Sequence, residues 1–235
     1  MKKIFGASGE RGHGGRDKLM NAAMKLASTT HSLASLGLRE VARLAGVNPN
    51  TFYRHFRNFD ELGLAMIEQL GGELRQSLRE RRTRPASGGG IRLADLANPS
   101  RSLQLMQGVV HESVSLVLDF ALEHREAYVV GIRELHGSSP VMRSALRKLL
   151  DDIAADMAED VLGMLKLPLL EADAVREISS MVIRQMTFFS MDYLEQPHER
   201  EKIRRQAERF ILLLFFGALA AKAPAMLTGA KLRFS

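Results

Sequence analysis

Between Asn48 and His55 the chain gathers six side chains that can exchange hydrogen bonds with an outside partner: Asn48, Asn50, Thr51, Tyr53, Arg54 and His55. Short amides and hydroxyls of this kind match the donor and acceptor edges of base pairs, while phenol, imidazole and guanidinium groups suit phosphate oxygens. Arg39, nine residues upstream of Asn48, is a further candidate for a phosphate or base. The chemistry implied is recognition rather than bond making. No phosphate-cradling glycine loop, zinc-binding His-Glu helix or nucleophile turn occurs. His111, His124 and His136 fall on separate segments, and the chain has no cysteine, so no metal or cofactor is expected and no enzyme.

The flanking residues say how these groups are positioned. Leu38, Val41, Ala42 and Ala45 have the i, i+3, i+4, i+7 spacing of one buried helix face. Gly46 follows as the turn residue. Asn48 is placed to cap the next helix, with Pro49 at its first position, where a missing N–H costs nothing. Phe52 and Phe56, one helical turn apart, anchor that helix and leave the polar residues outward. Two short helices joined by a glycine turn make a helix-turn-helix, whose second helix enters the major groove of DNA. On this reading Asn48, Asn50 and Thr51 face base edges, and Tyr53 and His55, on different sides of the helix, reach flanking phosphates. Arg54 is a surface residue that can join them.

Charge agrees with that partner. Residues 1–57 hold ten basic and three acidic residues, so the net charge of +6 on the 235-residue chain is concentrated there. Residues 1–15 read as a disordered basic tail; Lys2, Lys3 and Arg11 could enter a minor groove. Hydrophobic residues make up 46% of the chain, ample for a core. The uncharged apolar run Phe210 to Ala221 is too short to span a bilayer, and no signal peptide is evident. A cytoplasmic protein with no membrane partner is expected.

The whole chain reads as all-α, with no strand alternation. Helices are expected at about 16–28, 38–45, from Pro49 onward, 58–82, 99–123, 126–136, 139–165, 171–194 and 198–222, about nine in all. Pro99, Pro140, Pro168 and Pro197 mark boundaries, and Pro85 to Gly90 is a break. This divides the chain into the tail, a three-helix helix-turn-helix domain at 16–60, and a larger helical ligand-binding and dimerisation domain at 61–228.

Leu38-Arg39-Glu40-Val41-Ala42, Ala45-Gly46-Val47, Thr51-Phe52-Tyr53-Arg54-His55-Phe56 and Asp60-Glu61-Leu62 strongly resemble the TetR family of bacterial regulators over residues 16–65. The resemblance implies phosphate contacts for Tyr53 and His55, and a homodimer whose last two helices form a four-helix interface. A weaker likeness runs through Phe52-Tyr53-Arg54-His55-Phe56, Asp60-Glu61-Leu62-Gly63-Leu64 and Arg133-Glu134-Leu135-His136-Gly137-Ser138. It is similar to regulators of unsaturated fatty-acid synthesis, the FabR and DesT type, and implies a fatty acyl thioester such as acyl-CoA as the effector.

The residues themselves suggest where effector and partner would sit. The stretch Phe210 to Ala221 is apolar on every side, so one face should meet a second subunit; Ile211, Leu214, Phe215 and Ala218 are the expected interface. Twelve methionines and no tryptophan suit an adaptable apolar tunnel. Met106, Phe120, Met157, Met164, Met181, Phe188 and Phe189 are its expected lining, with Met142, Met186 and Met191 nearby. Arg133 and Glu134 interrupt an otherwise apolar helix, either to orient a polar head group or to pair with each other, and Arg184, inside the apolar helix Met181–Met191, is another candidate for the head group. The expected function is a sequence-specific transcriptional regulator, a repressor of double-stranded operator DNA, in which a small apolar ligand tilts the fourth helix. The alternatives are a helical protein-binding adaptor, or a regulator of efflux or catabolic genes answering another hydrophobic ligand.

Overall fold

A computed structural model of the chain describes residues 14–29, 32–83, 99–164 and 170–222. Nine α-helices lie among them: α1 (Gly14–Thr29), α2 (Leu38–Ala45), α3 (Asn50–His55), α4 (Phe59–Thr83), α5 (Pro99–Glu123), α6 (Arg125–Glu134), α7 (Pro140–Met164), α8 (Ala172–Glu195) and α9 (Arg200–Lys222). Short 3₁₀ turns at Leu33–Ser35 and Pro197–Glu199 precede α2 and α9. No strand occurs among the described residues. The basic tail, apart from Gly14 and Gly15, lies outside the described residues, as do the break at 85–90 and Pro168.

The helices fall into two compact units. The first takes in the described residues up to Ser77 together with Phe120–Leu149. Its core is built from Leu19, Met20, Ala23 and Met24 of α1, Val41 of α2, Phe52 of α3 and Leu62 and Met66 of α4, all almost completely buried. Val130 of α6 and Met142 of α7 join the same core. The expected boundary after residue 60 therefore does not coincide with the packing: α6 and the start of α7 close the core of the helix-turn-helix. Met142, expected near a ligand tunnel, is fully buried against Leu33 and Gly63 instead.

Polar bonds reinforce that closure. Ser139 caps α7, its Oγ accepting from the Met142 N–H at 3.2 Å, and donates the hydroxyl proton to Asp60 Oδ1 at 2.7 Å. Arg143 donates to the carbonyls of Gly137 and Ser138 at 2.6 and 2.9 Å, which fixes the turn between α6 and α7.

The second unit takes in Leu78–Asp119 and the described residues from Leu150 onward. Val114 and Leu118 of α5, Ile178, Val182 and Met186 of α8, and Ala207 and Ile211 of α9 form its main core. Ala158 of α7 with Leu170 and Val175 forms a second cluster, and Phe215 and Ala218 of α9 pack against both. By length and composition the Leu103–Glu123 stretch of α5 is apolar enough to cross a membrane. Its most deeply buried large residues, however, are the same Val114 and Leu118 that build this core, each 1% exposed.

Candidate nucleic-acid interface

The turn between α2 and α3 is made by the two residues the sequence singles out. Gly46 adopts φ 66°, ψ 34°, a left-handed conformation that an L side chain resists. This lets the Gly46 N–H reach the Arg43 carbonyl at 3.2 Å and the Val47 N–H reach the Ala42 carbonyl at 3.0 Å, which closes α2. Asn48 then opens α3. Its Oδ1 accepts from the Asn50 N–H at 2.9 Å and its backbone carbonyl from the Thr51 N–H at 2.8 Å. The opposite end of α2 has no such help, because Gly37 offers no side chain to cap it.

Phe52 fixes the rotation of α3. It is 1% exposed, and its ring lies 5.7 Å from that of Phe56 and 5.2 Å from that of Phe59. With that face turned inward, Asn50, Tyr53 and Arg54 emerge at i, i+3 and i+4, and Tyr53 is 65% exposed, packed edge-on to Phe52 at 5.6 Å. Thr51 and His55 are half-buried on the flank that faces α1: a Cβ on Gly15 would lie within 3.4 Å of Thr51 Cγ2 and 2.9 Å of His55 Nε2. Arg16 of α1 sits over the Phe56 ring at 5.7 Å.

The recognition candidates thus take three stations. Asn50, Tyr53 and Arg54 are on the open ridge of α3. Thr51 and His55 are on the flank toward α1. Asn48 is exposed at the turn, but its oxygen is committed to the helix cap, leaving its amide N–H groups for a partner. Arg39 is exposed on α2. So is Arg43 one turn later, which the sequence reading omitted although the i, i+4 spacing from Arg39 signalled a shared outward face. An exposed ridge of amide, phenol and guanidinium groups over a rigid aromatic anchor can hydrogen-bond a groove without rearranging its own core.

The effector candidates do not converge in the same way. Met106, Phe120, Met157 and Phe189 are half-buried; Phe120 stacks on His124 at 4.3 Å, and Phe189 meets Phe210 edge-on at 6.0 Å. Met181, Arg184 and Phe188 point outward from α8, with Phe188 63% exposed and Arg184 within 3.4 Å of Asp151. Arg133 is exposed as well, donating to the Ser28 carbonyl at 3.4 Å. These four therefore do not line an interior tunnel. Composition identified adaptable apolar residues, but α8 carries them on both faces. The side chain of Met164 lies outside the described residues.

Of the dimer candidates only Ile211 is fully inside; Leu214, Phe215 and Ala218 are half-buried. Ile211 is buried in the core of its own unit, and Leu214, Phe215 and Ala218 pack against it. Because the run from Phe210 to Ala221 is apolar all round, no period distinguished its inner from its outer face. The outer face carries Leu213, Gly217 and Ala221.

Residues 19–66 match the model of a family described as bacterial regulatory proteins, tetR family. The fold is shared with solved transcriptional regulators. A tetR-family regulator from Streptomyces coelicolor is 16% identical, with a TM-score of 0.64 over 94% of this chain and 92% of that one. The fatty acid degradation regulator FadR from Bacillus halodurans is 14% identical, with a TM-score of 0.66 over 89% and 98%. The FadR regulator from Bacillus subtilis, solved in complex with stearoyl-CoA, is 13% identical, with a TM-score of 0.63 over 84% and 96%.

Proposed function

We propose that this chain, which carries the DNA-binding domain of the tetR family at residues 19–66, is a dimeric repressor that binds operator DNA through α3 and answers to a long apolar effector. The observation that carries the reading is the ridge of Asn50, Tyr53 and Arg54 standing outward over the buried Phe52. Nothing in the packing of the first unit requires polar groups there.

One such ridge contacts too few base pairs to select a site. Two, separated by about 34–36 Å, read two half-sites on one face of a duplex. The outward apolar residues Leu213, Gly217 and Ala221 of α9, with Met181 and Phe188 of α8, support a second copy as the partner. Small residues at 217 and 221 allow close approach of two helices.

The effector is proposed to be a fatty acyl thioester. Its support is the likeness in fold to a regulator solved with stearoyl-CoA, together with half-buried Met106, Met157 and Phe189 in the second unit. A ligand of this kind acts only by its difference in affinity for two states. The proposed states differ in the tilt of α4 and hence in the spacing of the two α3 ridges.

The test is binding of fluorescent duplexes selected from a random pool, measured over a salt series. A sequence preference, with affinity falling steeply as salt rises, supports the regulator; equal, salt-insensitive binding of every duplex defeats it. Native mass spectrometry of the purified protein tests the effector. A retained acyl chain supports the lipid reading, and a polar or aromatic compound overturns it.

A further inference from the structure

Glu134, the last residue of α6, is 2% exposed and has no basic partner at its carboxylate among the described residues. Its Oε1 accepts two hydrogen bonds from the connection that leads into α2: the Leu33 N–H at 2.7 Å and the Ser32 hydroxyl at 3.0 Å. Its Oε2 is buried with no hydrogen-bond partner among the described residues. The space beside that oxygen is closed by Gly137, where any Cβ would collide with it. Five residues along, Ser139 donates to Asp60 Oδ1 in the first turn of α4. One turn of chain, Glu134 to Ser139, therefore holds the segment that contains α2 and α3 at both ends.

A buried carboxylate with one oxygen unsatisfied is a costly way to fill space; a leucine would pack there without the desolvation penalty. What the carboxylate supplies is direction, since two donors of one connection must converge on one oxygen. The same arrangement is easily released, because opening lets water reach Oε2 and recovers part of the lost solvation.

We propose that the α6–α7 turn is a two-point clamp that sets the orientation of the recognition helices, and that Glu134 and Ser139 are positioning residues for operator binding. Movement of this turn then reaches α3 from both sides at once. The proposal rests on the operator-binding reading above, and it adds the element through which the recognition helices are held.

The experiment compares Glu134→Ala with Glu134→Gln in the full chain. It reads affinity for a duplex selected by the wild-type protein, and amide hydrogen exchange at Leu33 and within α5, α8 and α9. Glu134→Ala is expected to speed Leu33 exchange and weaken operator binding, each by about tenfold, the scale of the hydrogen bonds lost at Oε1. Exchange in α5, α8 and α9 should be unchanged. Glu134→Gln keeps an oxygen that accepts both bonds and should restore Leu33 protection and most of the affinity. Wild-type operator affinity in Glu134→Ala, or a Gln variant as impaired as the Ala variant, overturns the clamp. If Glu134→Ala does not fold, Asp60→Ala and Asp60→Asn make the same comparison at the other end of the clamp: an unimpaired Ala variant, or an Asn variant no better than Ala, overturns it. If the wild-type protein shows no sequence preference, the operator reading fails. Leu33 exchange in Glu134→Ala then still decides whether the turn grips the head.

Discussion

Nε2 of His55 lies 2.9 Å from the point where a Cβ on Gly15 would sit, closer than side chains normally tolerate. The start of α1 thus needs glycine for the imidazole of α3 to rest where it does. Gly15→Ala is expected to push the His55 ring off this flank while leaving the buried face of α1 intact. Since His55 is read as a phosphate contact, binding to a selected duplex and to a scrambled one should weaken by the same factor. A change in sequence preference instead would make His55 a base reader.

The ridge of α3 divides by the same logic. Asn50→Ala should relax preference at one or two base pairs by about 1–3 kcal/mol, the usual value of a good side-chain–base pair. Thr51→Ala is expected to act in the same direction. Tyr53→Ala should lower affinity for all sequences alike, and Arg39→Ala, Arg43→Ala or Arg54→Ala should each flatten the slope of log affinity against log salt by about one. Selection of duplexes by each variant, followed by a salt series, separates these outcomes; equal losses across sequences for every variant would refute the division.

Asn48 does two jobs, and one of them is measurable without DNA. Its Oδ1 caps α3 through the Asn50 N–H. Asn48→Ala should cost about 1 kcal/mol of stability by chemical denaturation, while Asn48→Asp, which keeps the acceptor, should cost much less. An Ala variant as stable as wild type would mean that Pro49 and the Asn48 carbonyl suffice to start the helix.

The recognition domain was legible in the sequence because each of its constraints is local. Gly46 for a left-handed turn, Asn48 for a cap and Phe52–Phe56 for an anchor act within four residues of what they shape. The nine helices were legible too, since periodicity and prolines mark their ends. What joins the pieces was not. Ser32 and Leu33 are 102 and 101 residues from Glu134, and the short 3₁₀ turn at Leu33–Ser35 carries no periodicity. In the sequence, Glu134 beside Arg133 leaves open a head-group contact or an ion pair, but adjacent helix positions point about 100° apart. One goes to the core and the other to the surface. The facing of α8 and α9 was illegible for a different reason: an all-apolar run has no polar side to give its orientation away.

That ambiguity in α9 yields the sharpest test of assembly. Ile211 and Leu213 are two residues apart on one helix, yet Ile211 is 4% exposed in the core of its own unit and Leu213 is 46% exposed. A second subunit can reach only the latter. Leu213→Asp should give a folded protein that sediments as a monomer and binds a single half-site weakly. Phe188→Asp, on the outward face of α8, should shift the equilibrium in the same direction. Ile211→Ala should leave association alone and cost about 2–5 kcal/mol in unfolding, the penalty for emptying a buried aliphatic site. If Leu213→Asp remains dimeric, the partner does not sit on this face. If Ile211→Ala dissociates without losing stability, the helix is turned the other way in solution. Operator affinity measured alongside sedimentation links the two: loss of the dimer should reduce operator binding to that of a single half-site while the α2–α3 head stays folded, because its core of Phe52, Val41 and Leu62 owes nothing to α9.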